Sequence, residues 1–192
     1  GVRSLADGEA MEREVSVEHD RHAFGVWKMA WMSARWTIEP AAVLVEERPL
    51  LGREVLRTLA PDGRLPEGYA ALFVGLAAGR IDEAEIEREL DAQIRRALDA
   101  GVCVTHLDSH QHTHFFPGIG PILCRLAARH GIRGVRAGRR VVPGPTKFSL
   151  LLGPLARRFT AFARAQGLAT PDTLWLPSPS GHVTPAILEA GL

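Results

Sequence analysis

Strand-forming and helix-forming segments alternate along the chain, and this alternation constrains the fold more than any other feature. Strands are predicted at the apolar or β-branched runs 42–45, 102–108 and 132–136. Between and after them lie predicted helices, at 66–79, 83–100, 119–130 and 147–166. Crossover helices of this length favour parallel strands, so the pattern predicts an α/β fold. A barrel and an open, doubly wound sheet both remain compatible with it.

The helix over residues 83–100 has the clearest signals. Its apolar residues recur at helical spacing and form one stripe. Asp82 is a suitable N-cap, and Glu85 three residues later predicts a capping box. By contrast, residues 22–36 have an irregular apolar pattern that only loosely favours a helix. Loops are predicted at 137–146 and 170–182, which contain Pro and Gly.

A histidine-rich run follows the second predicted strand and holds four of the eight histidines of the chain. Side chains alternate across a strand with a period of two. An extended run would therefore place five ionisable residues on one face, namely His106, Asp108, His110, His112 and His114. Such a face is unusual for a parallel strand, which apolar groups cover on both sides. It is expected where the carboxyl end of the strand opens into a pocket.

Clustered imidazoles and a carboxylate predict a metal site and metal-assisted hydrolysis. Neutral imidazole is a common metal ligand near pH 7, and two histidines two residues apart on a strand can reach one ion. The candidate metal ligands are His110 and His112, and the candidate catalytic residues are Asp108 and His106. The spacing leaves their individual roles open, because a neighbouring carboxylate can ligate the ion, orient an imidazole or act as a general base.

Three further residues are candidates for substrate binding. His114 ends the run, and like His112 it could lie past the end of the strand, where the alternation no longer holds. Arg136 follows the third predicted strand and could bind an anionic or hydroxyl-rich ligand, although a surface role is equally compatible. His182 lies in a Ser-Gly-His loop segment that could line a pocket or be exposed.

The bulk composition excludes several classes of partner. The net charge of +1 gives no basic field for nucleic acid or a membrane surface. No run of about 18 apolar residues predicts a membrane span. The two cysteines, Cys103 and Cys124, form no Cys-x-x-Cys pair, which favours a reducing, cytoplasmic setting over a disulfide framework.

The segment 105–119, THLDSHQHTHFFPGI, closely resembles the signature of the YdjC-like (ChbG/HpnK) carbohydrate deacetylase family. Weaker similarities extend over residues 42–192. The resemblance implies a TIM-like (β/α) barrel, a divalent metal ion (Mg or Zn), and hydrolysis of N-acetyl groups from amino sugars or chitooligosaccharide-like carbohydrate substrates. It assigns a metal ligand to His110 and places Asp108 and His106 at or beside the metal.

The chain departs from the family pattern at both ends. The acidic Asn-Ala-Asp-Asp-Phe-Gly motif of the family has no good counterpart in residues 1–40, and its Cys-His-Pro motif is absent. A second metal histidine of the family corresponds to Ala41. We therefore predict a divergent segment at 1–40 and a barrel portion at 41–192 whose first and last strands are missing or divergent. Exposed strand edges would also permit a homodimer.

Two alternative functions remain open from the sequence. One is a catalytically inactive remnant of the same family that binds metal or sugar weakly. The other is a different metal hydrolase, such as a phosphoesterase, although the chain has no further Asp/Glu motifs suited to a two-metal site.

Overall fold

The computed structural model describes residues 27–32, 35–42, 44–45, 47–142 and 147–175. The chain divides into two compact units, Gly1–Gln111 and His112–Leu192. Each unit is described by itself below, beginning with the strands and helices of the first.

The first unit contains three paired strands. Strand β1 (Trp27–Met32) pairs antiparallel with β2 (Arg35–Ala42), and β2 pairs parallel with β3 (His106–Ser109). The helix predicted over 22–36 is thus wrong, because the tryptophans that dominate this stretch are strand formers and find a partner strand. The strand predicted at 42–45 is displaced toward the N-terminus, since β2 ends at Ala42.

Two helices complete the first unit. They are α1 (Tyr69–Ala77) and α2 (Glu83–Asp99), as the sequence predicts to within a few residues. The apolar stripe of α2 is buried, with Ile86 and Leu90 fully inaccessible. Burial of a large aliphatic side chain contributes about 1.5–3 kcal/mol. The stripe therefore fixes which face of α2 is turned inward.

The N-terminus of α2 is capped differently from the prediction. The side chain of Asp82 accepts a hydrogen bond from the backbone N–H of Ala84 at 2.9 Å, which confirms the N-cap. The predicted capping box is wrong, because the backbone N–H of Asp82 donates to the hydroxyl of Thr58 at 2.8 Å. That hydroxyl in turn donates to the Glu85 carboxylate at 2.9 Å. Thr58 thus stands between the two residues that a capping box would join directly.

Two buried carboxylates of α2 hold the segment that precedes it. Oε2 of Glu85 also accepts the backbone N–H groups of Thr58 and Leu59, both at 2.8 Å. One turn later, Glu89 accepts the N–H groups of two consecutive loop residues, at 2.9 and 3.0 Å. Burial alone would raise the pKa of Glu85, but these hydrogen bonds together lower it below the ordinary value of 4.5. Both side chains therefore anchor this loop through its backbone N–H groups.

The second unit alternates helices with short strands. Its elements are α3 (Ile119–Arg129), β4 (Gly134–Val135), β5 (Arg140–Val142), α4 (Lys147–Ala165) and β6 (Thr173–Trp175). Helices α3 and α4 confirm their predicted positions. The loops predicted at 137–146 and 170–182 are partly wrong, because β5 and β6 lie within them and pair parallel to each other.

Close backbone contact explains the position of Gly138 in the second unit. A Cβ atom at Gly138 would lie 2.4 Å from the backbone nitrogen of Leu174 in β6. The backbone N–H of Gly138 donates to the buried hydroxyl of Thr160 on α4 at 3.0 Å. Residue 138 is therefore held between α4 and β6, and a side chain there would separate them.

The described residues confirm a chain of mixed helices and strands with parallel strand pairs. They do not confirm the barrel. None of the helices in the described ranges is both long and apolar enough to cross a membrane.

Candidate functional site

The histidine-rich run changes conformation in its middle. Strand β3 ends at Ser109, and a 3₁₀ helix (His110–Phe115) follows. His106 and Asp108 keep the two-residue alternation of a strand. The predicted single face over all five residues is wrong from His110 onward, because the backbone turns there. Gln111 and His112 have φ angles of +54° and +56°, which end the extended conformation.

In the first unit, β3 buries Asp108 and leaves His106 partly exposed. Asp108 is 1% exposed, and its Oδ1 accepts the backbone N–H of Ser109 at 2.7 Å. Nδ1 of His106 lies 2.9 Å from the hydroxyl of Thr105. Both predicted catalytic residues thus belong to one short strand. The His106 ring and the Asp108 carboxylate each contact a polar group of the adjacent residue.

The strand register places Asp108 beside a second position of interest. Ala41 of β2 is the Cα partner of Asp108 in β3, and the next pair along the two parallel strands is Ala42 with Ser109. The family resemblance predicts that position 41 corresponds to a second metal histidine of the family. The register therefore brings this position next to the predicted catalytic carboxylate, although the residue here offers no metal-binding atom.

His110 and Gln111 follow directly and remain in the first unit. His110 is half-buried at the start of the 3₁₀ helix. The side-chain oxygen of Gln111 accepts the backbone N–H of Tyr69, the first residue of α1, at 3.2 Å. Gly68, the N-cap residue of α1, has no side chain to make such a bond. This contact was not predicted from the sequence. A glycine at the N-cap of α1, which has no side chain to accept a hydrogen bond, is the signal that could have indicated it.

In the second unit, the rest of the run packs into an aromatic cluster. The His112 ring stacks on Phe115 with ring centroids 5.5 Å apart and planes 9° apart. The His114 ring makes edge contacts with Phe115 and Phe159, at 4.2 and 5.1 Å between centroids. His114 is fully buried, and its Nε2 donates to the backbone oxygen of Arg136 at 2.8 Å. The ring is therefore fixed by packing and by one directed hydrogen bond.

The predicted substrate contacts stay predictions. His114 has no exposed surface in this structure, so a substrate could reach it only if neighbouring groups moved. Arg136 is half-buried and supplies its backbone oxygen to His114. His182 lies outside the described residues.

The predicted metal ligands supply suitable donor types but only part of a site. Nδ1 of His110 and Nδ1 of His112 are buried and make no hydrogen bond, although both residues have other interactions. Imidazole and carboxylate donors suit Zn²⁺ and other first-row ions, and carboxylates suit Mg²⁺. Within the described ranges, no group of three or more His, Cys, Asp or Glu side chains could hold a metal ion. A complete ligand set would need further donors.

A surface cleft of about 340 Å³ lies elsewhere in the first unit. It is lined by residues of the 58–67 segment and by Ile81, with charged groups of both signs on its walls. None of the histidine-rich run contributes to it. The chemistry of the run, rather than the shape of this cleft, therefore identifies the candidate site.

Known proteins resemble part of the chain. A carbohydrate deacetylase of Listeria monocytogenes serotype 4a is 44% identical over 78 residues, covering 40% of this chain and 30% of that protein. A chitooligosaccharide deacetylase of Enterobacter sp. (strain 638) is 35% identical over 135 residues, covering 65% of this chain and 53% of that protein. The chain thus spans between about a third and about half of these relatives.

One solved structure shows a weaker likeness. It is a crystal structure described as a candidate cellobiose-phosphate cleavage protein from Enterococcus faecalis V583, with 18% sequence identity and a TM-score of 0.45. The alignment covers 80% of this chain and 62% of that one. Similarity at this level carries no argument about function.

The family comparison covers most of the chain. The sequence profile described as YdjC-like protein matches residues 41–190, which includes β3, the 3₁₀ helix and every element of the second unit. This match confirms the resemblance inferred from the segment 105–119. The chain belongs to the YdjC-like protein family.

Proposed function

We propose that this chain acts in the metal-dependent removal of N-acetyl groups from amino sugars or chitooligosaccharide-like substrates. The observation that carries the proposal is the His-Leu-Asp-Ser-His sequence that begins in β3, with Asp108 buried and its Oδ1 accepting a backbone hydrogen bond. This sequence lies inside the segment matched by the family. Proteins similar to this chain include ones named carbohydrate deacetylase and chitooligosaccharide deacetylase.

The proposal includes a (β/α) barrel and a divalent ion, Zn²⁺ or Mg²⁺. His110 is assigned as a ligand by its place in the family motif, and His110 and His112 both by the donor chemistry of imidazole. When bound, such an ion would polarise the acetamide carbonyl and lower the pKa of a water molecule. Further ligands would have to come from residues outside the described ranges or from the rest of a longer protein.

The residues of β3 would handle the protons. Asp108 would accept a proton from the water whose oxygen attacks the acetamide carbon. His106, which lies at the more exposed end of the strand, would protonate the amine nitrogen as the carbon–nitrogen bond breaks. Acetate and the free amino sugar would be the products. Arg136, His114 and His182 remain the proposed contacts to the sugar.

A second candidate function has a specific observation in its favour. Ala41 occupies the position of a family metal histidine, and no group of three or more ligand side chains comes together in the described part of the chain. A family member that binds metal or sugar weakly and does not turn over substrate would have these features. The two candidates differ in one measurable property, which is acetate release.

Acetate release from N-acetylglucosamine oligomers, measured with and without Zn²⁺ or Mg²⁺, tests the proposal. We expect release that depends on the ion and is lost in His110→Ala. The matched control is His130→Ala, since His130 caps the C-terminus of α3 and lies outside the run. Isothermal titration with the same ions would separate failure to bind metal from failure to turn over.

Each outcome distinguishes the candidates. Metal binding that His110→Ala abolishes, without acetate release, would favour the inactive family member. Release that is equal in His110→Ala and in the control would refute the metal assignment.

A further inference from the structure

The turn inside the histidine-rich run has an unfavourable backbone conformation. In the described part of the chain, Gln111 and His112 are the non-glycine residues with positive φ, at +54° and +56°. This left-handed region is disfavoured for residues with a Cβ atom, and Gln, unlike Asn, Asp or His, is not among the residues enriched there. Such a conformation persists where surrounding contacts determine it, and it is common at functional sites. Some contact of the turn must therefore hold it.

The side chain of Gln111 provides such a contact. Its Oε1 accepts the backbone N–H of Tyr69 at 3.2 Å, and the two residues are 42 positions apart in sequence. The first N–H groups of a helix have no acceptor within the helix, so α1 also needs this bond. Gly68 stands at the N-cap of α1, where a Ser, Thr, Asp or Asn would normally supply the oxygen. One hydrogen bond thus joins the start of α1 to the strained turn.

We propose that Gln111 is a positioning residue: its side-chain amide fixes the turn after β3 to α1 and thereby sets the orientation of the His110 imidazole. His110 immediately precedes the tethered residue, so the backbone that carries its side chain is fixed on one side by β3 and on the other by this bond. The inference rests on the proposed function in one respect, that an oriented His110 binds a metal ion. The tether and the ring orientation can be measured without metal.

Two variants separate the hydrogen bond from the bulk of the side chain. Gln111→Met keeps the length of the side chain and removes the acceptor. Gln111→Glu keeps an acceptor oxygen and adds a negative charge near the N-terminus of α1, where it is favourable. Gln166→Met is the matched control, because Gln166 is exposed at the C-terminal end of α4.

The first readout is structural and uses the metal-free protein. We expect Gln111→Met to accelerate hydrogen exchange of the Tyr69 amide by about 10-fold or more and to shift the ¹⁵N resonances of the His110 ring, with the overall fold retained. Gln111→Glu should restore both to near the wild-type values. Unchanged Tyr69 exchange and unchanged His110 resonances in Gln111→Met would overturn the inference. So would equal changes in the Gln166→Met control.

The second readout is Zn²⁺ affinity by titration calorimetry. Loss of a group that orients a metal ligand typically lowers affinity 10–100-fold, so we expect a weakening of about 10-fold or more in Gln111→Met and recovery to within about 3-fold in Gln111→Glu. Wild-type affinity in Gln111→Met would contradict a role in ligand positioning. If wild-type protein binds no Zn²⁺ while the NMR changes appear as expected, the proposed function fails and the tether stands. If Gln111→Met does not fold, Gln111→Glu alone decides. A Tyr69 amide that exchanges faster in Gln111→Glu than in wild type would then overturn the inference.

Discussion

Replacing Glu85 with alanine should remove a buried oxygen to which three donors bind. Oε2 accepts the N–H groups of Thr58 and Leu59 and the hydroxyl of Thr58, at 2.8–2.9 Å. Leu59 is 2% exposed, so water cannot readily replace the lost acceptor at its N–H group, whereas Thr58 is exposed and can rehydrate. A buried donor left unpaired costs about 1–3 kcal/mol. Loss of a negative charge in the first turn of α2 costs a further 0.3–1 kcal/mol or so.

We therefore expect Glu85→Ala to lower the free energy of unfolding by about 1–4 kcal/mol. With a urea m-value of about 2 kcal/mol/M, the unfolding midpoint should fall by roughly 0.5–2 M. The matched control is Glu83→Gln, which removes a charge from the same turn at an exposed position. It should cost about 1 kcal/mol or less. The urea midpoints are measured by circular dichroism. Equal midpoints for Glu85→Ala and Glu83→Gln would refute the assigned role of the hydrogen bonds.

The same carboxylate predicts a pH dependence. The pKa of Glu85 in the folded chain lies below its ordinary value of 4.5, so the unfolded chain binds this proton at a higher pH than the folded chain does. Its contribution to stability is therefore complete above the unfolded pKa and is lost as the pH falls through the folded pKa. The side chain at position 85 of the Glu85→Gln variant does not titrate. The difference in free energy of unfolding between wild type and this variant should therefore become smaller as the pH falls from about 6 to about 3. A gap that widens over this range would contradict the assignment.

Three further predictions concern other parts of the chain. Ala41→His should strengthen Zn²⁺ binding by more than about 10-fold, because even a group that only orients a metal ligand typically changes affinity by about 10-fold. An unchanged Zn²⁺ affinity in titration calorimetry would contradict the proposal that position 41 is a ligand position. At pH 8, a thiol reagent should label the exposed Cys103 and leave the buried Cys124 unlabelled, because burial raises the pKa of the Cys124 thiol to about 11. Labelling of both thiols in the folded chain would contradict this prediction. Gly120→Ala should destabilise the chain by about 1–3 kcal/mol, because its methyl group would lie 2.7 Å from an aromatic carbon and 2.8 Å from a backbone oxygen. The control Gly153→Ala meets its nearest atom at 3.9 Å, so equal urea midpoints would count against the packing argument.

The helices were predictable from the sequence, because their signals are local. The apolar stripe of α2 and the Asp82 N-cap follow from residues within a few positions of each other, and the structure confirms both. Strands β5 and β6 were missed because each has three residues, and their pairing joins positions more than 30 residues apart. The antiparallel pairing of β1 with β2 was missed for a related reason. An irregular apolar pattern does not separate helix from strand until a partner strand is known.

The candidate site was predictable up to the point where the backbone turns. The alternation of His106 and Asp108 holds because both lie in β3. It fails after Ser109, because Gln111 and His112 adopt a left-handed conformation that the residue type of Gln111 does not signal. A contact distant in sequence, from Gln111 to the start of α1, accompanies that conformation. A reading of neighbouring residues could not have found it.

The parallel register of β2 and β3 shows what position 41 adjoins. Ala41 is the Cα partner of Asp108, so two positions far apart in sequence meet at adjacent strand ends. A parallel pair brings the carboxyl ends of its strands to one edge of the sheet, which is where α/β folds place their sites. Under the proposed function, a histidine at this position would add a metal-binding atom beside Asp108, whereas the alanine pairs in the strand without supplying one. Ala41→His therefore tests the proposed ligand position by a single substitution, at a place where the strand pairing already exists.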